Sequence, residues 1–300
     1  MNQSETENEE QHEPCPTPLA WQDVVREVEA HARYQQFEAP GGQIRVREFG
    51  EGKPVVILPG TQSTARHFYL TAWLLREEYR CIMFDHAEWQ RTISPERVIG
   101  ESASIIGAVM EHLTGDEPPH LYGSTYGAQV AIELLRHNPN RFQDVIFQSG
   151  WAYRPLTASE RGLLRVGRRF PLAVRWLPSW RAVQIRNHRD CFPPFDQTRF
   201  EFLVNEMRLQ PTREVALRLL AASSTDLRPR LGDIALPAMV LRCEGEGPAI
   251  ESLQNDLESG LPQARTEWMH TSGLFPYLTH PHRIVKILRQ FWESDEKAAS

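Results

Sequence analysis

Cysteine is scarce in this chain. Cys15, Cys81, Cys191 and Cys243 are scattered through 300 residues. No disulfide framework is visible and no pair has metal-ligand spacing. They read as reduced thiols of a cytoplasmic protein, and the sequence calls for no metal and no cofactor. Positive charge is not in excess either. Thirty-three Lys and Arg against 39 Asp and Glu leave a net charge of -6, without the overall basic footprint of a nucleic-acid-binding protein. No apolar run approaches the roughly 20 residues of a membrane span. The opening segment MNQSETENEEQHEPCPTP lacks the basic and apolar regions of a signal peptide. Its acidic, polar and proline-ended composition cannot bury enough apolar surface to offset ordering, which predicts a disordered tail over 1–18. No internal repeat is apparent. What remains, 41% hydrophobic and 24% charged, suits one large domain whose core needs no covalent staples.

Strand and helix patterns alternate along most of the chain. ARYQQFEAPGGQIRVREFGEG reads as two strands about a Gly-Gly turn, and KPVVILPG as a buried parallel strand. ARHFYLTAWLLREE, PERVIGESASIIGAVMEHLT and YGAQVAIELLRH read as helices, separated by the strands YRCIMFD and PHLYGS. QDVIFQSG closes this block. From Leu236 the alternation resumes with LPAMVLRCEG, AIESLQNDLESG, ARTEWMHTSG and PHRIVKILRQFW. A hairpin followed by such units predicts an α/β fold: a mostly parallel twisted sheet with helices on both faces. The core is expected over 19–150 and 232–296. Residues 151–231 show no strand pattern and stand where a helical lid would be inserted.

That insertion is basic. Arg154 to Arg189 holds nine arginines and one acid, Glu160. Arg161, Arg165, Arg168 and Arg169 share one helical face, with Leu163, Val166 and Phe170 elsewhere. One reading is a solvated helix packed on the core by its apolar side, cut short by Pro171 and Pro178. The other is a surface for an acidic protein partner or an anionic membrane.

HLYGSTYGAQVAIELL places a sharp turn between a strand and a helix. Gly123 and Gly127 frame it as they frame the G-x-S-x-G nucleophile elbow of α/β hydrolases. The central residue is Thr125, and Ser124 lies one place early. A threonine hydroxyl can attack a carbonyl, but its β-branch suits a positive-φ turn poorly and its methyl crowds the reaction. An oxyanion would need two backbone N–H groups, and Thr61 and Tyr126 are placed to offer them. The acid station after AMVLRCEGEG falls on Glu246, with Glu244 as the near alternative and a solvated loop carboxylate as the plain one. The base station falls on Leu274 in SGLFPYLTHP, and leucine cannot take a proton. His270 lies four residues before it and His280 six after; His270 serves only if the loop is rearranged.

With these motifs the chain resembles the α/β-hydrolase superfamily. Most specifically it is similar to the maspardin branch, through VILPGTQSTARHFY, HLYGSTYGAQVA, EVALRLL and above all HTSGLFPYL. That branch also lacks histidine at the position of Leu274. It keeps serine in the elbow, where this chain has Thr125. The resemblance implies a cytoplasmic protein, with membrane association as an option, that acts by protein, lipid-surface or small-ligand binding without hydrolysis. The alternative from the residues is an esterase-like hydrolase using Thr125, Glu246 and a displaced His270. Under either reading the partners are a protein, a membrane surface or a small hydrophobic ligand beneath the lid.

Overall fold

The computed structural model describes residues 20–299 except 40, 194–195, 246 and 271–272, with the backbone alone over 295–299. The tail expected over 1–18 therefore lies outside the described residues. In chain order the main elements are α1 (Trp21–His31), β1 (Arg33–Ala39), β2 (Gly42–Phe49), β3 (Lys53–Leu58), α2 (Tyr69–Leu75), β4 (Tyr79–Phe84), β5 (Glu88–Trp89), α3 (Pro95–Thr114), β6 (His120–Ser124), α4 (Tyr126–His137) and β7 (Asp144–Gln148). An insertion follows with α5 (Ala158–Gly167), α6 (Trp180–His188), α7 (Gln197–Met207) and α8 (Thr212–Ser224). The chain then completes the sheet with β8 (Ala238–Cys243), α9 (Pro248–Gly260), β9 (Ala264–Met269), α10 (Pro276–Thr279) and α11 (Pro281–Ala299).

The strands lie in the order β1-β2-β4-β3-β6-β7-β8-β9, with β5 beside β2. The pairs β1–β2, β2–β4 and β2–β5 are antiparallel, and every pair from β4 to β9 is parallel. The expected α/β fold is present. Burial explains the order. Strands β6, β7 and β8 are buried at every position and take the middle, while β1 and β9 are partly exposed and form the edges.

Side-chain alternation divides the interior in two. Val56, Leu58, Leu121, Phe147 and Val240 face the core under α3 and α4. Val55, Ile57, Tyr122, Ile146 and Leu241 face the core under α1, α2 and α11. Helix α3 has the span expected for it, begun by Pro95 at its first turn, where a missing N–H costs nothing. Helix α1 went unread in the sequence, although Val24, Val25 and Val28 form its buried stripe.

The insertion corrects one expectation. Helix α5 does not pack by its apolar side. Leu163 is 73% exposed, Val166 50% and Phe170 49%, and no residue of α5 is buried. Gly167 at its end lies against α8, where a Cβ would make ordinary contact with the Ala216 methyl at 3.5 Å and the Thr212 methyl at 3.6 Å. The apolar stripe of Leu163, Val166 and Phe170 faces outward.

Candidate active site

Between β6 and α4 the chain reverses at Thr125, with φ 46° and ψ -105°. Few non-glycine residues adopt a positive φ, and the cost is of order 1–3 kcal/mol. The Thr125 N–H donates to the Gln148 carbonyl at 2.8 Å, and the Thr125 carbonyl accepts from Ala128 at 3.1 Å. The flanking glycines are required by space. A Cβ on Gly123 would stand 2.8 Å from the Ala128 backbone, and one on Gly127 only 2.3 Å from the Leu58 carbonyl oxygen.

The Thr125 hydroxyl accepts from the Thr61 N–H at 3.3 Å. Gly60 makes room for it, since a Cβ there would lie 2.4 Å from Oγ1. The Tyr126 amide follows at the start of α4, where the first N–H groups of a helix have no acceptor within it. Thr61, Thr125, Trp151, Arg154, His188 and Leu274 are among the residues lining one cavity of about 280 Å³. Thr125 and Leu274 thus line the same cavity. Ser124 points elsewhere. Its Oγ donates to Gln148 Oε1 at 2.6 Å, and the residue is 1% exposed.

Gln148 organises the buried side of the site. Its amide nitrogen reaches the Leu274 carbonyl at 3.4 Å, and it also bonds Ser149 Oγ. Tyr277, three residues after Leu274, hydrogen bonds Ser63 Oγ at 2.7 Å, and burial pushes its phenol pKa upward. Ser63, Ser124, Gln148 and Tyr277 therefore tie the loop after β3, the elbow and the loop after β9 together. Gln148 and Tyr277 were not singled out in the sequence. For Gln148 the visible signal was a polar residue closing an otherwise apolar strand; Tyr277, inside α10, carried none.

The predicted partners are divided in space. His270 lies just past β9, its Nδ1 3.5 Å from Glu244 Oε2, with side chains 65% and 54% exposed. Its ring stacks on Trp268, and it is not among the residues lining the Thr125 cavity. Glu246 lies outside the described residues. Among the described residues no imidazole hydrogen bonds to Thr125 Oγ1. The imidazole that shares its cavity is His188 at the end of α6, which sequence reasoning missed because it lies in the insertion. The His188 ring sits edge-on to Phe275 at 5.0 Å, and burial lowers its pKa to about 4. It is neutral at neutral pH. Arg154 also enters the wall, its pKa lowered by burial against the pull of Glu160.

The insertion holds the loop that carries Thr61. Gln210 bonds the Gln62 carbonyl, and Arg218 donates to Gln210 Oε1 at 2.6 Å. Arg218 is 7% exposed, and desolvation lowers its pKa to about 10. Nearby, His86 donates from Nε2 to the Gly60 carbonyl at 2.8 Å. Burial and Arg218 hold that imidazole neutral. Of the predicted basic set, Arg165, Arg168 and Arg169 line a separate cavity, and Arg161 is not among its lining residues.

The sequence profile described as the alpha/beta hydrolase family matches residues 55–287. This chain belongs to that family. A protein of Azorhizobium caulinodans named carbamate hydrolase RutD is 25% identical over 233 residues, 72% of this chain and 82% of that protein. Among solved structures, a thermophilic esterase from Thermogutta terrifontis superposes with a TM-score of 0.70 at 18% identity, covering 88% of this chain and 99% of the esterase. The enol-lactonase of Burkholderia xenovorans LB400 gives 0.70 at 15% identity, covering 86% and 100%. These structural likenesses extend the family's fold to nearly the whole chain. Among the described residues no helix is long and apolar enough to cross a membrane.

Proposed function

We propose that the protein is a hydrolase of ester-type bonds working in the cavity over Thr125, with the Thr125 hydroxyl as attacking group. The observation that carries this reading is the position of Thr125: a positive-φ elbow residue that lines a cavity and whose hydroxyl lies 3.3 Å from the Thr61 N–H. The names of the relatives, an esterase, an enol-lactonase and a carbamate hydrolase, support a small ester, lactone or carbamate as substrate class. As Oγ1 bonds the carbonyl carbon, its proton is assigned to the neutral His188 imidazole, the base that lines the same cavity, a transfer that requires the ring to move into hydrogen-bond reach of Oγ1. The Thr61 and Tyr126 amides receive the charge on the carbonyl oxygen. Collapse returns that proton to the leaving group, and water then releases the acyl group from Thr125. In this reading the insertion is the lid, and Arg154 favours a substrate carrying a carboxylate.

Leu274 favours a second reading, binding without turnover, as the likeness to the maspardin branch implies. Losing the base of a serine-type triad costs on the order of 10⁶ in turnover and leaves about 10³–10⁴ over water. The cavity would then hold a ligand, and the insertion would meet a cytoplasmic protein or an anionic membrane. Short-chain aryl esters and a fluorophosphonate probe separate the two. Hydrolysis and labelling that vanish in Thr125→Ala support the first. Silence of the native protein, with activity gained in Thr125→Ser/Leu274→His, supports the second and overturns the first.

A further inference from the structure

A second cavity, of about 530 Å³, opens where α5, the segment after it, the start of α8 and the loop after β5 meet. Five arginines line it, Arg91, Arg165, Arg168, Arg169 and Arg213, against one carboxylate, Glu214. Glu214 Oε1 is already taken by Arg213, at 2.9 Å from Nε and 2.6 Å from Nη2. Arg168 is held on the Ile93 carbonyl. Among the described residues Arg91, Arg165 and Arg169 have no carboxylate partner. The wall thus carries four net positive charges in a chain whose net charge is -6. Like charges gathered around a concavity repel one another and raise the local potential for anions. None of its lining residues is shared with the Thr125 cavity.

We infer that this cavity binds a phosphate ester carrying two phosphate groups. The charge and the geometry agree. Each phosphate carries roughly -1.5 to -2 at neutral pH, so two match the four uncompensated cations. Guanidinium forks pair with phosphate oxygens through paired N–H donors. A volume of about 530 Å³ accommodates a small molecule, and Trp89 and Leu217 supply an apolar wall for its body. The ligand is either a free bisphosphate or the headgroup of a phosphorylated lipid. The outward apolar stripe of Leu163, Val166 and Phe170 beside the cavity makes the lipid source worth a separate arm.

The test uses the full chain. Calorimetry with an inositol bisphosphate probes the free source. Co-sedimentation with phosphatidylcholine vesicles, with and without a phosphatidylinositol phosphate, probes the headgroup. Binding in either arm supports the site and tells its source. Arg165 and Arg169 are exposed, so Arg165→Gln/Arg169→Gln is expected to fold normally. It should weaken binding by about tenfold or more, since each lost bond to a charged group is worth at least that factor. Arg186→Gln removes an exposed arginine outside the cavity and should leave binding unchanged, as should Thr125→Ala. No binding in either arm overturns the inference, and so does an equal loss in Arg186→Gln, which would reduce the effect to general surface charge.

Discussion

Thr125 and Leu274 differ in how the rest of the site treats them. The elbow still meets its steric demands, with Gly123 and Gly127 packed against backbone and Gly60 kept bare beneath the Thr125 hydroxyl. At the base station the bonds are made by the main chain, because Gln148 grips the Leu274 carbonyl and makes no demand on its side chain. Gly127→Ala is therefore expected to destabilise the fold by about 3 kcal/mol or more, as its Cβ would meet the Leu58 carbonyl within a rigid strand–helix junction. Urea denaturation reads this, and a loss below about 1 kcal/mol would show that the elbow can open. The identity of Thr125 and Leu274 was legible in the sequence. His188 was not, because its neighbours in the chain carry no motif and only the folding back of α6 brings it to the cavity.

Elements forecast from pattern match those formed wherever the local signal and the tertiary demand coincide. Helices α3 and α4 begin and end where their apolar spacing and end signals put them. Helix α5 shows the reverse, since its amphipathic spacing was real but its apolar residues stay exposed in the folded chain. The start of the central sheet depends on a contact that no spacing reveals. His120 of β6 bonds Asp144 of β7 at 2.6 Å, both almost fully buried, and the imidazole stacks on Trp292 of α11. Asp144→Ala is expected to cost about 3–5 kcal/mol, because it strands a buried polar group. Chemical denaturation measures it, and a cost near zero would mean that the pair contributes nothing to holding β6 and β7 to α11.

For the whole molecule, buried histidines contribute to the response to acid. His67 is fully buried, accepts from the Thr64 N–H at 3.1 Å through Nδ1, and has its pKa lowered to about 3 by desolvation and then by Arg66. Unfolded, it takes up a proton near pH 6.5. Between about pH 6.5 and 3 the unfolded chain binds more protons than the folded one, so stability falls as the pH is lowered through that window, and above it His67 adds no pH dependence. His188, lowered to about 4, acts in the same direction. Thermal melts across this range should show a falling Tm, with a shallower slope in His67→Gln; parallel slopes would remove His67 as a cause. The sequence by itself determined a mostly parallel sheet, the chain order of its main strands and of the helices between them, the elbow with threonine at its centre and leucine at the base station. Those follow from periodicity and from the backbone demands of one short turn, which are local. Only the tertiary structure decided that His188 joins the Thr125 cavity, that His270 turns out to Glu244, and that arginines from three segments gather around a second cavity. Those depend on how the insertion lies on the core, and that is fixed by packing between residues far apart in the chain.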